Sequence, residues 1–325
     1  MFGGFFIAKK TGIFDVSIKA EVLKPKTEIT KGMDAEKALE MIHRQMQLNG
    51  YRERTLNDYI LIFNHFLKST NVKTLEEINV NTIYQWLDSM NVSASTKSTR
   101  LKCLKAVLSK CFNNGWLQSK FWLTVQIKLD KKVKPGAKQN DLNVLLSLLD
   151  TSTFIGLRDA IAILTLFKTG VRINTLGQIR VCHIDFTNGL LNLEGSIMKN
   201  HKNLKLPLDE QLIELYKVLI EQNLKIRTYY KQDNDFLFIT RRGGKINSRS
   251  TNNAISKQLS KYAKEYNLPN INAHAIRRAY AKSLYDKGAN IALISKALGH
   301  SNLAVTTQYL DLEVDEVAEN LRDYL

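Results

Sequence analysis

The feature that most constrains this chain is a break in its hydrophobic periodicity at residues 121–140. The stretch KFWLTVQIKLDKKVKPGAKQN, 120–140, is rich in lysine and carries Pro135–Gly136, which interrupt the helical period as a linker does. Before it, 33–120 repeats apolar residues at helical spacing; after it, 141–325 mixes helical stretches with short strand-like ones. A chain of 325 residues can hold two cores of moderate size, so the break predicts two domains. The expected division is an N-terminal arm or appendage at 1–32, a helical domain at 33–120, a basic linker at 121–140 and a mixed domain at 141–325.

In the first domain, apolar residues recur at Leu56, Tyr59, Ile60, Phe63 and Phe66–Leu67, then at Ile83, Trp86–Leu87 and Met90, with Thr55 and Asn81 as expected helix caps. A helix over 95–114 places Leu101, Leu104, Leu108, Cys111 and Phe112 on one stripe and Ser98, Lys102, Lys105 and Ser109 on another. In the second domain, a helix over 154–168 stops at Gly170, and strands follow near 183–186, 190–194 and 203–208. Asn188–Gly189 joins the first two as a hairpin turn, because both residues tolerate positive φ. A further strand at 235–240 runs into the basic turn Arg241-Arg242-Gly243-Gly244-Lys245. A helix over 250–266 separates Ile255, Leu259, Tyr262 and Tyr266 from Lys257, Lys261 and Lys264. The fold class is therefore mainly α with a small antiparallel β-sheet.

Charge narrows the partners. Lys and Arg number 47 against 31 Asp and Glu, a formal net charge of +16, which favours polyanions through counterion release. A solvated lysine surface and an acidic membrane surface compete with nucleic acid as readings. Two separate helices with one packed face and one lysine face favour nucleic acid. The longest apolar run after the N-terminus, AIAILTLF at 160–167, is too short to span a bilayer, and MFGGFFIAKK is too short for a signal-peptide core. Cys103, Cys111 and Cys182 are odd in number and lack metal-ligand spacing, so neither a disulfide framework nor a zinc site is expected, and a cytoplasmic setting fits.

The chemistry-bearing residues lie near the C-terminus. His274-Ala-Ile-Arg277 would share one face at the start of a helix; a short amphipathic helix, 290–298, is stopped by Gly299 and delivers His300; Tyr309 follows nine residues later. Taken singly, a capping histidine, a salt-bridging arginine and a core tyrosine are the ordinary readings. Taken together, HAIRRAY, GANIALISKALGHSN and VTTQYLD in this order resemble the end of tyrosine recombinases, the family of phage integrases and chromosome-dimer resolvases. KTGVRINTL is similar to the segment around that family's first arginine and nominates Arg172, and in SIMKNHKNLKLPL the resemblance nominates Lys199. More weakly, 33–120 resembles the family's helical core-binding domain.

The resemblance implies a set of roles. Arg172 and Arg277 would clamp the nonbridging oxygens of a scissile phosphate, and His300 would add a hydrogen bond. Tyr309 would attack, His274 would take its proton and Lys199 would protonate the leaving 5′-oxygen. It implies no cofactor, no metal and no small-molecule substrate. The expected partner is double-stranded DNA, met by Lys102, Lys105, Arg241, Arg242, Lys245, Lys257, Lys261 and Lys264, in the cytoplasm at the nucleoid. One position departs from the pattern: three residues after its first arginine the family usually carries an acidic residue, and here that residue is Thr175. Two functions therefore stay open, site-specific strand exchange through a 3′-phosphotyrosine, or a catalytically retired DNA-binding protein acting as a repressor of a phage or mobile element. A relaxing topoisomerase is a third. The acidic segment DLEVDEVAENLRDYL sets Val314, Val317, Leu321 and Tyr324 on one helical face, and the resemblance implies self-association on DNA through this tail.

Overall fold

The computed structural model describes residues 32–129, 134–248 and 252–310. All but the last residue of the expected arm at 1–32, the middle of the linker and the tail from Asp311 onward lie outside these residues. The chain divides into two compact units, Met1–Asp130 and Lys131–Leu325. No described helix is long and apolar enough to cross a membrane.

The described part of the first unit is helical. Helices α1 (Ala35–Leu48), α2 (Glu53–Thr70), α3 (Val80–Asp88) and α4 (Ala94–Asn113) enclose one core. Helix α1 starts at Asp34, whose carboxylate accepts from Lys37 N at 2.9 Å, and buries Ala35, Ala38, Leu39, Ile42 and Met46. Two caps differ from expectation. Arg52, not Thr55, precedes α2 and makes no side-chain cap, while Asn79, not Asn81, caps α3 in a reciprocal pair with Thr82. A 3-10 turn at Phe121–Thr124 seats Trp122, with no exposed surface, edge-on to Phe112 and Phe121. Trp122 and Val125 thus belong to the helical core rather than to a linker. Their neighbouring lysines masked them in composition.

In the second unit, α5 (Gln139–Leu148) leads into α6 (Phe154–Thr169), the axis of the core, against which α8 (Glu210–Tyr230), α9 (Ala254–Glu265) and α10 (Ala273–Asp286) pack. Between α6 and α8 come a one-turn α7 (Ile173–Leu176) and an antiparallel meander of β1 (Ile184–Asp185), β2 (Leu190–Leu193) and β3 (Leu204–Pro207), in register Leu191↔Leu206. Gly189 turns the first hairpin at φ +62°. A second, two-residue ribbon pairs β4 (Asn247–Ser248) with β5 (Asn252–Asn253), and Asn253 then caps α9. Helices α11 (Ile291–Ala297) and α12 (Leu303–Leu310) close the described chain.

The strand expected at 235–240 is not one. Phe236, Leu237, Phe238 and Ile239 are consecutively buried, and the segment makes only isolated bridges, Arg180↔Phe236 and Ile239↔Lys245. Side chains satisfy its carbonyls instead: Asn223 Nδ2 donates to Leu237 O at 2.7 Å and Arg158 to Ile239 O at 3.0 Å. Arg158 also pairs with Asp159, which accepts from the Tyr262 hydroxyl at 2.9 Å, tying α6 to α9 inside the core.

Candidate active site

Three segments of the second unit bring the nominated residues together. The first is the exit of α6. Gly170 takes the left-handed conformation (φ +61°) that ends the helix, and Arg172 follows at the entrance to α7. The second is α10, whose N-terminus is capped by Asn272 Oδ1 accepting from Ala275 N at 3.0 Å, so that His274 and Arg277 leave its first turns three residues apart. The third is the turn from α11 to α12, which holds Leu298, Gly299 and His300.

Arg277 is 2 % exposed, and its guanidinium donates to the carbonyls of Gly170 and Leu298. Its Nη2 also lies 3.2 Å from His300 Nε2. An arginine can only donate, so Nε2 accepts and the imidazole proton sits on Nδ1, which lies 3.0 Å from the hydroxyl of the fully buried Thr306. Arg172 points both terminal nitrogens at Gly299 O, at 3.5 and 3.4 Å. The Tyr309 ring stands edge-on to His300, centroids 4.9 Å apart, with the Arg277 guanidinium carbon 6.0 Å from its centroid.

The electrostatics follow from this crowding of cations. Burial, then Arg277 and Arg172, depress the His300 pKa to about 4, so the ring is neutral at neutral pH. His274 is shifted the same way, by burial first and then by Arg278, Arg277, Arg172 and Lys134, which favours its neutral form. Burial also lowers both arginines, with Tyr309 opposing the shift in each. Among the described residues neither arginine forms an ion pair with a carboxylate. Thr175, three residues after Arg172, is buried, but its hydroxyl donates to Ile197 O at 3.4 Å and approaches Met198 Sδ at 3.9 Å, on the root of the β2–β3 turn. Lys199 is exposed in that turn. The arrangement gathers two guanidiniums and an imidazole at one turn, with a phenol ring beside the imidazole.

The residues nominated for DNA binding divide by exposure. Lys102 is exposed on α4, whereas Lys105 turns its ammonium to Val125 O and is held below the usual lysine range by burial. Arg241, Arg242, Lys257, Lys261 and Lys264 are exposed; Lys245 is exposed with its ammonium 4.9 Å from the centroid of the Phe236 ring. Sequence reasoning missed Thr306, Gly299 as an acceptor and Asn200, whose Nδ2 donates to Gly299 O at 3.2 Å. Among the described residues, no group of three or more His, Cys, Asp or Glu is placed to hold a metal ion.

The phage integrase family is matched over residues 137–316, which holds every residue of this pocket and more than half of the chain. The chain belongs to that family, the tyrosine recombinases. Among its relatives, tyrosine recombinase XerC of Oceanobacillus iheyensis is 24 % identical over 289 residues, covering 86 % of this chain and 92 % of that protein. Tyrosine recombinase XerD of Staphylococcus saprophyticus is 23 % identical, covering 81 % and 88 %. The fold is that of the Tn1549 transposon integrase in complex with a circular intermediate DNA, with TM-score 0.71 and 16 % identity over 90 % of this chain and 100 % of that one. It is also that of a lambda integrase dimer bound to a COC′ core site, with TM-score 0.66 and 16 % identity over 86 % and 77 %.

Proposed function

We propose that this chain is a site-specific DNA strand-exchange enzyme working through a 3′-phosphotyrosine. The observation that carries this is the convergence of Arg172, Arg277, His300 and Tyr309 on the Leu298–His300 turn. A scissile phosphate would take the place of the Gly299 and Leu298 carbonyls as acceptor for the two guanidiniums, which suit a phosphate because each presents a planar fork of donors. The phosphate's negative charge would also offset the burial and the repulsion from Arg277 and Arg172 that keep His300 deprotonated, so that Nε2 becomes a donor as the anion binds. Tyr309 Oη would then form a bond to phosphorus, giving up its proton to His274. The P–O5′ bond would break, with its electron pair leaving on O5′, and Lys199 would supply the proton that makes the free 5′-hydroxyl. The bond energy stays in the phosphotyrosine, so attack by another 5′-hydroxyl completes exchange. Relatives in this family and the DNA-bound integrase structures support duplex DNA as the substrate. The lambda integrase tetramer bound to a Holliday junction supports assembly of several copies on it. The acidic tail is proposed as the segment that joins them.

The test uses genomic duplexes captured by the protein, reopened with a nick beside the reacting phosphate so that cleavage is trapped. Wild-type protein forms a covalent adduct, and Tyr309→Phe binds the same duplex and forms none. Absence of adduct from wild-type protein on a duplex it demonstrably binds would sink this reading.

Thr175 favours a second reading. With its hydroxyl spent on Ile197 and no carboxylate set against Arg172, the same scaffold would serve as a DNA-binding repressor of a phage or mobile element without turnover. That reading expects Tyr309→Phe to retain full biological activity.

A further inference from the structure

Asn200 sits directly beside Lys199. Its Nδ2 reaches across 99 residues to Gly299 O at 3.2 Å, the carbonyl that also accepts from Arg172, and its Oδ1 accepts from Lys202 N at 3.3 Å. On the other side of Lys199, Met198 is 3 % exposed, and a Cβ at Gly299 would lie 3.3 Å from its Cε. The exposed lysine therefore stands between two anchored neighbours. Both anchors reach Gly299, the residue before His300. Thr175 braces the same turn from its root, through Ile197 O and Met198 Sδ.

We propose that Asn200 is a positioning residue: it latches the lysine turn to the Gly299–His300 turn, through the carbonyl that also accepts from Arg172, and so holds Lys199 where it delivers its proton. This rests on the strand-exchange reading above. The latch has two consequences. The ammonium of a lysine swings on four flexible carbons, so where it delivers a proton is set by where its Cα is held. When a phosphate draws Arg172 away, Asn200 keeps Gly299 O paired, so closing the site on its substrate leaves no bare acceptor behind.

The experiment separates a proton-delivery role from a merely structural one. It compares wild type, Lys199→Ala and Asn200→Ala as full-length chains on a captured duplex. The duplex carries either the natural oxygen or a bridging sulfur at the 5′ position where the wild-type adduct maps. A thiolate leaves without a proton, so sulfur relieves a missing general acid and nothing else. Asn200→Ala is expected to bind the duplex as wild type does and to form adduct about 10- to 100-fold more slowly on oxygen. On sulfur, like Lys199→Ala, it recovers most of the loss. An unchanged rate on oxygen, or an equal loss on both duplexes, overturns the proposal. In the DNA-free protein, amide hydrogen exchange over 197–202 is expected to quicken in Asn200→Ala, and unchanged exchange overturns the latch itself. A wild-type chain that binds but never reacts counts instead against the strand-exchange reading and the proton-delivery role with it, and exchange alone then decides the latch.

Discussion

His300 is the residue whose environment is most altered. Its pKa is lowered from the usual 6.5 to about 4, so between those values the unfolded chain binds a proton that the folded chain refuses. The stability due to keeping this ring neutral is fully present above about pH 6.5 and is lost as pH falls toward 4. His300→Gln can still accept from Arg277 and donate to Thr306, but it does not titrate. Urea unfolding measured from pH 7 downward is expected to show a shallower loss in this variant than in wild type. Parallel curves would show that His300 is not the titrating group. At this scale the sequence disclosed residue types and order, and little else. His300 was legible because it follows a glycine that stops a helix, and Arg172 through the resemblance carried by KTGVRINTL. Asn200 and Thr306 were not, because their roles depend on backbone carbonyls and rings that come close only after folding.

Helix endings, rather than helix interiors, place the pocket. Gly170 ends α6 at φ +61°, and an added Cβ would stand 2.2 Å from Tyr280 Cδ1 on α10, while its carbonyl accepts from Arg277. Gly170→Ala is therefore expected to lose more than about 1 kcal/mol, through both the left-handed backbone and the crowded ring, read as a lower urea midpoint at unchanged slope. A loss within error of zero would mean that α10 can slide away freely. The elements legible in the sequence were those with a one-sided apolar stripe, such as α4 and α9, or with a turn signal, such as Asn188–Gly189. The segment at 235–240 carried neither, since consecutively buried residues show no alternation, and side chains together with a few isolated backbone bonds, not a continuous ladder, satisfy its backbone. Phe121–Val125 escaped for a different reason: three buried or half-buried apolar residues in a run of lysines look like linker until Trp122 is seen against Phe112.

At the scale of the molecule, the net charge of +16 is distributed over both units, and the salt dependence of duplex binding reports how much of it is used. Replacing Lys257, Lys261 and Lys264 together by alanine is expected to reduce the slope of log affinity against log salt by about 1 for each phosphate that is no longer neutralised. Lys102→Ala should act in the same direction. Lys105→Ala should leave the slope unchanged and lower stability instead, because its ammonium serves Val125 O. Equal slopes for wild type and the triple variant would place the duplex elsewhere. The carbonyls of Gly299 and Leu298 bear on which anions gain entry. With no substrate present, the guanidiniums are already occupied by the chain's own backbone, so a small anion must displace those partners with nothing else to offset the exchange. On the proposed function, a long polyanion would arrive with its other phosphates already paired to surface lysines. Free phosphate or a mononucleotide is therefore expected to compete poorly against a captured duplex in a binding assay, and competition at equal phosphate concentration would show that the backbone partners are easily displaced.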